Sequence, residues 1–187
     1  MSEIKIEKLD VYNENKEKTG KVILREKGVS LNKNEFIISI TVWVVNKAGE
    51  ILMTQRKLDK VKGGMWEPTT GLVISGETSK EGALRELNEE IGIQLEEKDM
   101  DLIKEIIEER TDLNFFRDIY VVNKEISIED IKFNDGEVID AKYVTFDEFN
   151  TMLKNGETHN WLDYFNELFE KLNNSLIYNK YKLIKEL

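Results

Sequence analysis

Cysteine is absent from the 187-residue sequence, and histidine and proline occur once each. Without cysteine there is no disulfide, no thiolate-held zinc and no cysteine nucleophile. A single proline, Pro68, and the lack of any Gly/Ser-rich or low-complexity stretch leave no linker, so one domain is expected over 1–187. Long apolar runs are missing too. The longest, 36–45, is interrupted by Ser39 and Thr41 and is too short to span a bilayer. The start, Met1-Ser2-Glu3-Ile4-Lys5, lacks the basic-then-apolar order of a secretory signal, so the expectation is a cytoplasmic protein with no membrane partner. Basic residues are outnumbered, 27 against 37 acids, and the net charge of −10 argues against nucleic acid as a partner. What remains, 40% hydrophobic and 34% charged, suits a chain with a real core.

Turn signals and hydrophobic period divide the chain. Ile4, Ile6 and Val11, then Val22, Ile23 and Leu24, flank the polar stretch 13–20, which predicts a strand–turn–strand opening within 1–35. Residues 36–45 are β-branched and aromatic and predict a buried strand, followed by a turn at Asn46-Lys47-Ala48-Gly49 and a second strand from Ile51. The polar, glycine-bearing stretch 58–70 reads as a loop. Further strands are expected around 103–107, 115–122 and 138–146, with a short helix at 147–153. Trp161, Leu162, Phe165, Leu168, Phe169 and Leu172 form the stripe of an amphipathic helix in a C-terminal helical segment, 158–187. Its end, 173–187, could serve a homodimer through Ile177, Tyr178, Tyr181 and Ile184. Strands outnumber helices without regular alternation, so the class is α+β.

The segment 71–93 is the specific one. Thr78 followed by Glu81 forms a capping-box pattern that starts a helix near Ser79, and Gly92 sits where a left-handed cap would stop it. With about 100° between successive helical residues, Glu86, Glu89 and Glu90 fall within an arc of roughly 100°, beside an apolar arc of Ala83, Leu84, Leu87 and Ile91. Three carboxylates so close repel one another, and a hard divalent cation removes that cost. In an acid-rich chain the same cluster is more often a solvated helix face. The spacing decides between the two. Gly71, Glu77, Arg85, Glu86, Leu87, Glu89, Glu90, Gly92 and Ile93 match, at every fixed position, the Nudix box; a chance match is on the order of one in a million.

The chain therefore resembles the Nudix hydrolases. The resemblance implies a mixed β-sheet sandwiched between helices, and Mg²⁺- or Mn²⁺-dependent cleavage of the pyrophosphate in a nucleoside diphosphate linked to another moiety. Carried onto this sequence, it implies Glu86, Glu89 and Glu90 as metal ligands with the Gly71 carbonyl, Arg85 as the residue orienting a neighbouring carboxylate, and Glu77 as a supporting acid. The bound metal would polarise phosphoryl oxygens and generate the attacking hydroxide. The general base is either a box glutamate, with Glu86 the choice here, or an acid from a distant loop, for which Glu137 is the candidate. Arg56 and Lys60 could meet phosphate charge. Trp66 could wall the pocket or stack on a base, or pack in the core. His159 has a catalytic reading and a surface one, and a lone histidine more often sits on the surface.

Asp10-Val11-Tyr12, Gly20, Val42-Trp43-Val44-Val45-Asn46 and Gln55-Arg56 are similar to the isopentenyl-diphosphate-isomerase-like branch, but that branch's cysteine and histidines are missing and Thr70 stands where a glycine is common. Isomerase chemistry is thereby disfavoured. The remaining alternative is a non-catalytic nucleotide sensor, against which all four box glutamates and the arginine are intact. Loops 58–65, 110–114 and 158–160 are expected to set specificity for the small-molecule nucleotide diphosphate.

Overall fold

The computed structural model describes residues 6–26, 28–134 and 136–158. His159, the stripe from Trp161 and the 173–187 tail with its suggested dimer role lie outside the described residues. In chain order the elements are β1 (Lys8–Tyr12), β2 (Lys18–Leu24), β3 (Ile37–Val45), β4 (Ile51–Arg56), β5 (Trp66–Glu67), β6 (Thr69–Leu72), α1 (Ser79–Ile91), β7 (Asp101–Glu109), β8 (Asn114–Asn123), β9 (Val138–Val144) and α2 (Phe146–Asn155).

All nine residues of β3 are buried, because a strand apolar on both faces needs cover on both. Ile38, Ile40, Val42 and Val44 share one core with Ala83, Leu87 and Ile91 of α1. Trp43 and Val45 share a second with Phe149 and Met152 of α2. A mixed sheet thus lies between two helices, the α+β sandwich expected. Both helices carry complete capping boxes, Thr78 with Glu81 and Thr145 with Glu148, and both stop at a glycine with φ of 71°, Gly92 and Gly156.

Pairing along β3 creates the opening for a site. One edge runs parallel to β8 over its full length, from Ile37↔Phe115 to Val45↔Asn123. The other edge changes partner, from β6 at Ser39–Val42 to β4 at Val45, and β4 goes on to pair with β5 and β9. Pro68 lies between β5 and β6, where the chain leaves one partner for another and a missing N–H costs no ladder bond. The stretch 58–70, expected to be all loop, therefore holds β5 and the start of β6. Strands this short and polar show no period of two.

The β1–β2 hairpin is a separate two-stranded sheet, joined to β3's beginning by the Tyr12↔Phe36 bridge. Its Leu9 is buried with Ile37 and Phe115, and Ile23 packs on them. These residues alternate with those facing α1, so they belong to the face that carries α2. That face is apolar at Ile37 and Phe115 under the hairpin, polar at Ser39, Thr41 and Arg117, and apolar again at Trp43, Ile119 and Val121 under α2. A polar band between two apolar patches is where a cleft can form. Among the described residues no helix is long and apolar enough to cross a membrane.

Phe149 is fully buried and meets the Trp43 ring edge-on at 5.8 Å between centroids. Phe149→Ala should lower the unfolding free energy by about 3–5 kcal/mol in urea titrations. A loss below 1 kcal/mol would mean that α2 contributes little to the second core.

Candidate active site

The site is organised on Arg85. Its guanidinium donates five hydrogen bonds, as many as it has N–H groups. Nε and Nη2 reach the two oxygens of Glu77 at 2.9 and 3.2 Å, Nη1 reaches Glu86 and Glu89 at 2.9 Å each, and Nη2 reaches the Leu72 carbonyl at 2.8 Å. Burial disfavours the charge of Arg85, but the Glu77 hydrogen bonds and the Glu86 charge more than compensate and hold its pKa above the ordinary value. The arginine therefore ties helix α1 to the loop and strand before it while keeping three acids side by side.

Glu86 lies closest to the sheet. A Cβ placed on Gly71 would fall 2.0 Å from the Glu86 Cδ, so glycine is required here for close approach rather than for its backbone angle. Burial raises the Glu86 pKa from 4.5 to about 7, outweighing the opposing charge and hydrogen bond of Arg85. Glu90 is buried and Glu89 is half-exposed, and both line the same cleft as Gly71 and Glu86. Carboxylate and carbonyl oxygens are the donors a hard divalent cation prefers, and the cradle at Gly71 brings backbone and carboxylate together. The donor chemistry fits such an ion. Among the described residues no three His, Asp or Glu side chains gather about one point; Arg85 stands between Glu86 and Glu89 as their counter-charge.

The cleft has a volume of about 720 Å³ and runs from the acidic edge of α1 across the polar band. Arg56 lines it, donating from Nη1 to the buried Glu67 at 2.5 Å. Glu137 also lines it and accepts from Lys60 at 2.5 Å. Burial acts to raise the Glu137 pKa, but the Lys60 hydrogen bond and charge outweigh it and leave the carboxyl below its ordinary range. Lys60 itself stands behind Glu137, outside the lining, and so does Trp66, whose ring packs on the α2 core with the Lys142 ammonium 4.1 Å from its centroid. Of the sequence candidates, the structure thus brings together Gly71, Glu77, Arg85, Glu86, Glu89, Glu90, Arg56 and Glu137, and sets Lys60 and Trp66 apart.

The opposite wall was not anticipated. Leu9, Ile23 and Arg25 come from the hairpin, and Ser39, Phe115 and Arg117 from the sheet floor. Arg117 is 5% exposed, bidentate to Glu108 at 2.5 and 3.2 Å, and donates to Thr41 Oγ1 at 3.0 Å. The adjacent pair Arg117-Asp118 inside the otherwise apolar run 115–122 was the available signal, since buried charges need built partners.

Comparisons with known proteins agree with this geometry. The NUDIX domain family model matches residues 35–165. An uncharacterised Nudix hydrolase of Listeria monocytogenes is 30% identical over 182 residues, covering 92% of this chain and 99% of that protein. Nudix hydrolase 6 of Arabidopsis thaliana is 33% identical over 118 residues, 60% of this chain and 40% of its own. Among solved structures, a protein of Deinococcus radiodurans aligns with a TM-score of 0.68 at 21% identity, covering 89% of this chain and 99% of that one. The NUDIX domain of Shewanella oneidensis NrtR, solved with ADP-ribose, aligns with a TM-score of 0.57 at 14% identity, covering 75% and 88%. These matches establish a family and no particular branch of it.

Glu86 holds a proton more tightly folded than unfolded, so its contribution to stability is full below about pH 4.5 and is lost as pH rises through about 7. In chelator, Glu86→Gln should therefore be more stable than the parent at pH 8, by up to about 3 kcal/mol, with the difference fading toward acid pH. Urea unfolding across that range is the measurement; a pH-independent difference would show that Glu86 is not held protonated by burial.

Proposed function

The chain belongs to the Nudix hydrolase family, and on that premise we propose that it cleaves the pyrophosphate of a nucleoside diphosphate linked to another moiety, with Mg²⁺ or Mn²⁺. The observation that carries this reading is the Arg85 hub, which holds Glu77, Glu86 and Glu89 beside Gly71, on a cleft that Glu90 and Arg56 also line. We assign Glu86, Glu89, Glu90 and the Gly71 carbonyl as the groups that hold the cation. When bound, the cation would polarise phosphoryl oxygen and make water a nucleophile at neutral pH. It would also supply the positive charge by which so acidic a chain accepts an anionic substrate.

Arg85 is a positioning residue, and Glu77 positions Arg85. For the general base, Glu86 is better matched than Glu137. Glu86 rests against Gly71 at the edge assigned to the cation, whereas the hydrogen bond and charge of Lys60 hold Glu137 ionised and make it a weaker base. Lys60, held by Glu137 outside the cleft lining, would reach substrate charge only by leaving that carboxylate. Arg56 can turn to a phosphoryl oxygen in the same way, exchanging Glu67 for the substrate. Trp66 is left out of the substrate assignment because its ring packs beneath Lys142.

The test is product release from nucleotide sugars, ADP-ribose, dinucleoside polyphosphates, nucleoside triphosphates and isopentenyl diphosphate, with Mg²⁺ and with chelator. Turnover should require metal and fall at least about a hundredfold in Glu89→Gln/Glu90→Gln. The same double variant should lose the rise in Tm that Mg²⁺ gives the parent, since only a native-state ligand set is stabilised by the ion. Nucleotide binding without turnover of any compound would make the chain a sensor.

A further inference from the structure

We propose that Ser39 selects the substrate of this cleft, by meeting the polar edge of a nucleobase that lies between the β1–β2 hairpin and β8. The inference rests on the hydrolase reading above for the position of the diphosphate, and on different residues for the base. Ser39 is 3% exposed and lines the cleft, and its Oγ has no hydrogen-bond partner among the described residues. Its neighbours are accounted for. In register, Ser39 lies beside Leu72 on β6 and Arg117 on β8. The Leu72 carbonyl accepts from Arg85, and Arg117 is committed to Glu108 and Thr41. A buried hydroxyl left unmet costs about 1–3 kcal/mol, so a sequence that could have placed alanine here keeps a group whose partner lies outside the described residues, and the open cleft beside it is where a ligand would supply one.

The surroundings of that hydroxyl define the partner. Leu9, Ile23, Leu113 and Phe115 make apolar walls, and the Arg110 guanidinium lies 5.0 Å from the Phe115 centroid as a planar cation at the rim. An aliphatic isoprenyl group would fill the walls and leave Ser39 unmet. A sugar carries hydroxyls on all sides, and would find its partners at the charged Glu7, Arg25, Glu26 and Arg110 of the same cleft rather than at these four walls. A flat heterocycle, apolar on its faces and polar at its edge, satisfies both. The position agrees: Ser39 is one strand from Leu72, about 5 Å, and Leu72 follows Gly71, where the acidic edge begins. A group esterified to a diphosphate held at that edge reaches the band. The hairpin that walls this subsite lies ahead of the residues matched by the family model, 35–165.

The experiment compares the parent with Ser39→Ala in two assays of the full chain. One is kcat/KM with Mg²⁺ on nucleotide sugars against base-free diphosphates, ribose 5-diphosphate and isopentenyl diphosphate. The other is metal-free titration with adenosine, guanosine, cytidine and uridine against ribose, followed by NMR. The loss in kcat/KM on the preferred nucleotide should exceed that on the base-free compounds by about 5- to 10-fold and sit in KM, and affinity for the matching nucleoside should drop by a similar factor. Tm should not fall, since the substitution removes an unmet hydroxyl. Equal losses on base-bearing and base-free compounds, no loss, or a parent that neither binds nucleosides nor prefers base-bearing substrates would each overturn the proposal. Weakened nucleoside binding with no hydrolysis in either protein would uphold the subsite and overturn the hydrolase reading alone.

Discussion

One guanidinium holds the candidate site together. Arg85 is half-buried on α1, and its bonds run to the loop acid Glu77, the strand carbonyl of Leu72 and the helix acids Glu86 and Glu89. A lysine could not replace it, having three donors on one point rather than five in a plane. The clustering of acids would be unfavourable on a bare helix, and it is tolerated because the charge that offsets it comes from the same turn of that helix. Closeness of packing follows as well, because Glu86 can rest against β6 only where Gly71 presents no side chain.

The second constraint is the sheet's division. β3 must satisfy apolar side chains on two faces and hydrogen bonds on two edges, but only the β8 edge is continuous. The other passes from β6 to β4, and the chain crosses that step at Pro68. The helix with the acids covers one face, while α2 and the hairpin cover the two ends of the other. What neither reaches is the band of Ser39, Thr41 and Arg117. The cleft is in this sense a remainder, left where apolar cover stops.

Legibility in the sequence followed the range of the interactions. The α1 caps, the acid arc and the glycine at 71 are set by spacings within 23 residues and could be read directly. β3, β7, β8 and β9 showed themselves through β-branched and aromatic runs. The two short strands flanking Pro68 did not, because four or fewer polar residues carry no period. Arg56 ends β4 and Glu137 precedes β9, strands paired at Arg56↔Val138, a contact across 82 positions that no local pattern reports. The opposite wall was hidden for the same reason. Leu9 and Ile23 read as ordinary hairpin residues, and Ser39 as a break in an apolar run, until pairing put them beside Phe115 and Arg117.

The hairpin is anchored at its two ends in different ways. At one end Asp10 accepts from Ser75 Oγ at 2.6 Å and from the Gly76 amide at 3.2 Å, and the Lys8 carbonyl accepts from the Ser75 amide at 2.7 Å, all just ahead of the α1 cap. At the other, Lys16 reaches across to Glu105 and the buried Asp118. The residues facing the cleft, Leu9, Ile23 and Arg25, lie at the first of these ends, and their side chains take part in neither set of bonds. Selectivity can therefore drift during evolution, one wall residue at a time, while the inherited chemistry on the opposite bank stays in register. A lineage of such proteins could diversify its substrates without reinventing its catalyst.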